Sequence, residues 1–141
     1  MERRDLIKDE LERIGKAISQ LLANFLALKT NGNIALAIEN TNKQFKEELD
    51  IDVELMLTLQ QQVFAEYLES KKLTPQHIEI LIDYFFETGS SLKEHHPERA
   101  RIILNKALEM IDFINNNSKT YSFERKGKED KIRELLRTLK N

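Results

Sequence analysis

Ile7-Lys8-Asp9-Glu10-Leu11-Glu12-Arg13-Ile14-Gly15-Lys16-Ala17-Ile18-Ser19-Gln20-Leu21-Leu22-Ala23-Asn24-Phe25-Leu26-Ala27-Leu28 is the stretch that decides the fold. Within it, Ile7, Leu11, Ile14, Ile18, Leu21, Phe25 and Leu28 follow gaps of four, three, four, three, four and three. That is the heptad spacing of a helix laid against one partner helix; a strand, with its period of two, has no use for it. Up to Lys16 only this seam is apolar. Beyond Ala17 the arc widens to Leu22, Ala23, Leu26 and Ala27, which predicts a second half buried among several neighbours and a first half touching only one. A helix over 5–29 spans about 37 Å, longer than any other helix in the chain. The C-terminal helix, or another chain, is therefore expected to cover part of the seam. Ile7, Leu11 and Ile14 form the candidate interaction surface.

Working outward, Thr30-Asn31-Gly32-Asn33 ends this helix, with Gly32 suited to a left-handed cap and Asn33 to capping the next. A second helix over 34–49 presents Ile34, Ala37, Ile38, Thr41, Phe45 and Leu49 on one side. The short loop between the two implies an antiparallel hairpin. Asp50-Ile51-Asp52 breaks the pattern. Helix then occupies 52–71, either as a short turn over Val53 to Leu57 followed by a new helix capped by Thr58 with Gln61, or as one continuous helix. Thr74-Pro75 and Pro97 are helix starts, giving helices over 75–93 and 97–116. The first carries Ile78, Leu81, Ile82, Phe85, Phe86, Gly89 and Leu92; the second carries Ala100, Ile103, Leu104, Ala107, Leu108, Ile111 and Ile114. Residues 119–128 read as a basic linker that touches the bundle at Tyr121 and Phe123. A capping helix over 129–140 closes the chain. The expectation is one all-α domain over 1–141, about six helices in antiparallel hairpins, with a long N-terminal helix and a C-terminal cap.

The 141 residues suffice for a core without staples. A charged share of 33%, with four glycines and two prolines, points to long, solvated helices. There is no cysteine, so disulfides and zinc-thiolate sites are excluded and a cytoplasmic location is expected. No signal peptide is read at Met1-Glu2-Arg3-Arg4-Asp5, and the apolar run Ile18 to Leu28 is about half of what a bilayer requires. From Glu39 to Glu94, twelve acids face five lysines; from Lys119 to Asn141, eight bases face four acids. These charges are either solvated helix faces or a sign that the tail docks on the acidic middle, or on an acidic partner.

Ile80 to Ile114 resembles a tetratricopeptide-type helical hairpin. Tyr84, Phe85 and Gly89 lie in its first helix; Pro97, Ala100, Leu104, Ala107 and Leu108 follow in the second, with the two alanines where that repeat packs its helices closely. The first hairpin, with Asn31-Gly32-Asn33, Ala35 to Ile38, Phe45 and Leu49, is a weaker echo. The architecture also resembles a group of short bacterial proteins of uncharacterised role with tetratricopeptide-like folds. The resemblance implies stacked hairpins and protein binding, and carries over no functional residue.

Motifs of chemistry are sparse. His95-His96 with Glu98 lacks the spacing of a cage, and His77, near a helix start, reads as a surface or capping residue. The cluster Glu47, Glu48, Asp50, Asp52 and Glu54 has no glycine for a cation-binding turn, so it reads as a solvated acidic junction. Glu66 and Glu69 lack the histidine of a di-iron helix, no serine occupies a nucleophile elbow and no glycine-rich phosphate loop occurs. No enzymatic activity, cofactor or metal is expected. The favoured expectation is a protein-interaction or assembly module whose partner is a protein or, through the N-terminal helix, a second copy. The alternative is a nucleic-acid-associated or regulatory protein using the basic patch Arg125, Lys126 and Lys128, with Tyr121 and Phe123 interleaved. An isoelectric point of about 6.0 argues against that alternative.

Overall fold

In the computed structural model, residues 3–118 and 122–139 are described, with side chains from residue 6 onward. Among them are seven α-helices and no strand: α1 (Arg3–Leu28), α2 (Ile34–Leu49), α3 (Val53–Met56), α4 (Gln61–Ser70), α5 (Pro75–Leu92), α6 (Pro97–Asn117) and α7 (Phe123–Thr138), with a turn of 3-10 helix at Lys29–Asn31. The caps explain most of these boundaries. Gly32 takes φ 99°, the left-handed conformation that ends α1 and its 3-10 turn, and the Asn33 side chain accepts from the Leu36 N–H. Pro75 begins α5 behind a Thr74 cap, and Pro97 begins α6.

Two boundaries differ from the sequence expectation. The 52–71 region is two helices, and α4 starts at Gln61, not at a Thr58 cap. The Thr58 hydroxyl donates backward to the Leu55 carbonyl at 2.8 Å, closing the end of α3, and Gln60 caps α4 with no side-chain bond. At the C-terminus, residues 123–128 are not linker but the first turns of α7. Ser122 caps this helix by accepting from the Arg125 N–H at 3.1 Å, and Glu124 lies in the first turn, where the helix dipole favours an acid. The helical signal was hidden because this turn docks through charge instead of apolar side chains. Phe123 is 84% exposed and is not buried against the bundle. Tyr121, residues 119–121 of the expected linker and residue 140 of the expected capping helix lie outside the described residues.

The core joins α1, α2 and α5 around an aromatic cluster. Tyr84 meets Phe25 edge-on at 5.5 Å between ring centroids, and lies 5.0 Å from Phe45 and 6.3 Å from Phe85. α1 packs on both α2 and α5, and α5 makes its most extensive contact with α6. At that contact a Cβ built on Gly89 would lie 2.7 Å from the buried Leu104 side chain, so glycine is what lets the two helices approach. From the 3-10 turn that follows α1, the Lys29 ammonium also donates to Glu87 of α5 at 2.9 Å.

The widened apolar arc of α1 is less buried than its pattern suggested. Leu22 and Leu26 are half-buried, whereas Ala23, Ala27 and Leu28 are exposed. Two neighbours cover two sides of the helix and leave the third to water. α4 is held from α6 by Lys106, which is buried beneath it. The Lys106 ammonium donates to the Leu59 carbonyl, pairs with Glu109 at 3.1 Å and lies 4.7 Å from the centre of the Phe64 ring.

The basic tail docks on the acidic middle of the chain. Arg125 reaches Glu79 at 3.6 Å, and Lys128 reaches Asp83 at 2.9 Å. Arg125 also donates to Asn115 of α6 at 2.8 Å, and at the other end of α7 the Leu139 carbonyl accepts from Arg101 at 3.4 Å. These two bonds run α7 antiparallel along α6. Ile132 is the apolar side chain it buries completely.

Candidate interaction surface

The three seam residues singled out in α1 part company in the structure. Ile14 packs against the core, Leu11 is half-buried, and Ile7 is 55% exposed beside an equally open Leu6. α5 accounts for the difference, because its helix begins at Pro75 and reaches α1 near Leu11 and Gly15. The C-terminal helix does not close the gap; the bonds of α7 described above go to α5 and α6. At about 1.5 Å per residue the 26 residues of α1 span about 39 Å against about 27 Å for α5. The first turns of α1 therefore overhang.

His77 fixes this junction. Its Nδ1 accepts from the Thr74 N–H at 3.2 Å while the Thr74 hydroxyl accepts from the His77 N–H at 3.2 Å, a reciprocal capping box. With Nδ1 an acceptor, Nε2 carries the proton and donates to the Leu11 carbonyl at 2.9 Å. His77 is thus a capping residue, as its position suggested, but it is buried and not on the surface. One ring ends α5 and ties it to α1.

Gly15 lies against that ring. A Cβ there would meet the imidazole at 3.4 Å, an ordinary contact. Gly15→Ala is therefore expected to be accommodated and, by helix propensity, to raise stability by up to about 1 kcal/mol in urea unfolding. A loss of stability would show that the approach of α1 to His77 requires glycine.

Beside the junction, α1 and α5 enclose an open groove of about 750 Å³ lined by Lys8, Leu11, Glu12, Gly15, Lys16, Gln76, His77 and Ile80. Leu11 and Ile80 are its apolar lining, beside the charged Lys8, Glu12 and Lys16 of α1. On the outer side of α1, Arg13 donates to both oxygens of Glu10, at 3.1 and 2.7 Å, and this pairing holds the Glu10 carboxyl below the ordinary carboxylate range.

The candidate basic patch has a different fate. Arg125 is buried, bonded to Asn115 and paired with Glu79; Lys128 pairs with Asp83; Lys126 pairs with Asp130 at 3.3 Å. All three side chains serve contacts within the chain.

A second cleft, of about 570 Å³, was not visible in the sequence. It lies between α2 and the start of α6, lined by Ala35, Ile38, Asn42, Lys43, Leu92, His96 and Arg99 among others. A polar chain links Tyr84 in the core to the lining residues Asn42, Glu54 and Arg99. The Tyr84 hydroxyl donates to Asn42 Oδ1 at 2.7 Å, Asn42 Nδ2 donates to Glu54 at 2.9 Å, and Arg99 donates to the same Glu54 oxygen at 2.7 Å. Burial pushes the Tyr84 phenol well above the usual tyrosine range, which keeps it protonated and fixes it as the donor.

Of the five carboxylates of the α2–α3 junction, Glu47 and Glu48 are exposed, and the other three do separate structural work. Asp50 pairs with Lys71 at 3.2 Å, Asp52 caps α3 by accepting from the Leu55 N–H at 3.0 Å, and Glu54 anchors Arg99 and Asn42. A periodic reading could not join these residues to Tyr84, because Asn42 and Tyr84 are far apart in the chain. Compared with models of known families, with curated proteins and with solved structures, the chain matches none. No helix among the described residues is long and apolar enough to cross a membrane.

Proposed function

We propose that this chain is a cytoplasmic protein-interaction module without catalytic activity, built from two antiparallel tetratricopeptide-like hairpins, α1 with α2 and α5 with α6, and capped by α7. The packing of α1 on α5, in addition to each helix's own sequential neighbour, supports this reading, because stacked hairpins bury their apolar faces on one another. The carrying observation is the exposed start of α1: Ile7, 55% exposed, lies one turn before Leu11 on the same helix face and leads to the groove lined by Leu11 and Ile80, while Leu6, 59% exposed, stands on the adjacent face. A partner protein docks there by covering the overhang and laying an apolar side chain into the groove.

The test compares wild type, Ile7→Glu and, as a surface control, Lys131→Glu as bait in native lysate, with light scattering on each purified protein. Ile7 is open to solvent, so its substitution leaves folding stability within about 0.5 kcal/mol. The expected result is that a species held by wild type and the control, whether another protein or a second copy seen as a doubled mass, is lost at least tenfold with Ile7→Glu. Identical retention by all three, with all three monomeric, contradicts the proposal.

A further inference from the structure

The C-terminal helix is joined to the bundle in an unusual way for a helix of its length. Across the sixteen residues of α7, Ile132 is the apolar side chain taken fully into the core, while Leu135 and Leu136 near its end, and Leu139 just beyond it, are half-buried. Its first half holds on by charge. Arg125 and Lys128, one turn apart, face Glu79 and Asp83, one turn apart on α5; the pairs are Arg125 with Glu79 at 3.6 Å, Lys128 with Glu79 at 3.9 Å and Lys128 with Asp83 at 2.9 Å.

Two features weaken the helix on its own. Gly127 sits between the latch residues with nothing within 4 Å of where its Cβ would be, so its flexibility meets no packing need. Helices of this length are marginal in water without tertiary support. Lys128, Glu79 and Asp83 all remain partly exposed, at 28%, 28% and 39% of their side-chain surface, so salt reaches the two Lys128 pairs, whereas Arg125 is buried and its pair with Glu79 is screened less.

We infer that α7 is a releasable strap, latched across α5 and α6 by the Arg125–Lys128 to Glu79–Asp83 pairs, and that it opens as a unit while the α1, α2, α5 and α6 core stays folded. Opening is favoured by ionic strength and uncovers the face of α6 between Arg101 and Asn115 along which α7 runs. Local opening of such a unit at lower free energy than global unfolding is the behaviour expected of a terminal element with few buried apolar contacts.

Hydrogen exchange of the full chain, followed by mass spectrometry at fixed pH in 50 mM and 1 M sodium chloride, tests the inference. The expected result is that α7 amides exchange together and accelerate about tenfold in high salt, while α5 amides change less than twofold. The variant Glu79→Gln with Asp83→Asn should show fast α7 exchange already at low salt, with the salt response gone. Exchange of α7 in step with α5, or a salt response that persists unchanged in the variant, overturns the latch.

Discussion

Gly89→Ala is expected to destabilise the wild-type protein and to stabilise a Leu104→Ala protein, a reversal of sign at one position. In the native packing the added Cβ would fall 2.7 Å from the Leu104 side chain, which is fully buried and cannot swing into solvent. Such overpacking costs about 1–3 kcal/mol, against about 1 kcal/mol that alanine returns over glycine in a helix. Leu104→Ala alone opens a cavity between α5 and α6 and should cost about 2–5 kcal/mol. In that background the clash is gone, so the new methyl keeps its helix-propensity gain and occupies part of the void. Urea unfolding of the four proteins forms a double-mutant cycle, with a coupling of about 1–3 kcal/mol expected. Strict additivity would show that Gly89 is not what sets the spacing of the two helices.

The second large effect centres on Tyr84. Truncation in Tyr84→Ala removes the ring that Phe25, Phe45 and Phe85 pack around, and should cost about 3–5 kcal/mol. Tyr84→Phe keeps the ring and loses the bond to Asn42, leaving a largely buried amide oxygen without its donor, at about 1–3 kcal/mol. The same phenol makes stability depend on alkaline pH. Burial raises its pKa in the folded state above the value near 10 of the unfolded chain. The folded protein therefore holds this proton more tightly. The resulting stability is complete below about pH 10 and is lost as pH rises above it, at up to about 1.4 kcal/mol per pH unit. Urea midpoints at pH 9, 10 and 11 should fall more steeply for wild type than for Tyr84→Phe. Parallel curves would contradict a buried, protonated Tyr84.

How far these features could be read from the sequence depended on their physical range. Helix starts at Ile34, Pro75 and Pro97 rest on Asn33, Thr74 and proline, and capping chemistry is local, so the sequence displays it openly. The heptad seam of α1 likewise showed that Ile18, Leu21 and Phe25 belong to the core. The boundaries at Thr58 and Phe123 are not legible in the sequence because a hydroxyl can serve the helix behind it as well as the one ahead, and because α7 docks its first turns through Arg125 and Lys128 and not through an apolar stripe. The groove beside Leu11 and the Tyr84–Asn42–Glu54–Arg99 chain were out of reach, since each joins residues that only tertiary packing brings together. His77 is the intermediate case. Its role as a cap follows from Thr74 three residues before it, while its bond to the Leu11 carbonyl does not.

The uncovered start of α1 is the surface on which a partner must dock. Site-specific photo-crosslinking in living cells, with a benzoylphenylalanine at position 7 and, as a control, at the exposed position 131, tests it directly. One discrete cross-linked product is expected from position 7, containing either a partner protein or a second copy of this chain, and none of that product from position 131. No product from position 7, or the same products from both positions, would contradict it.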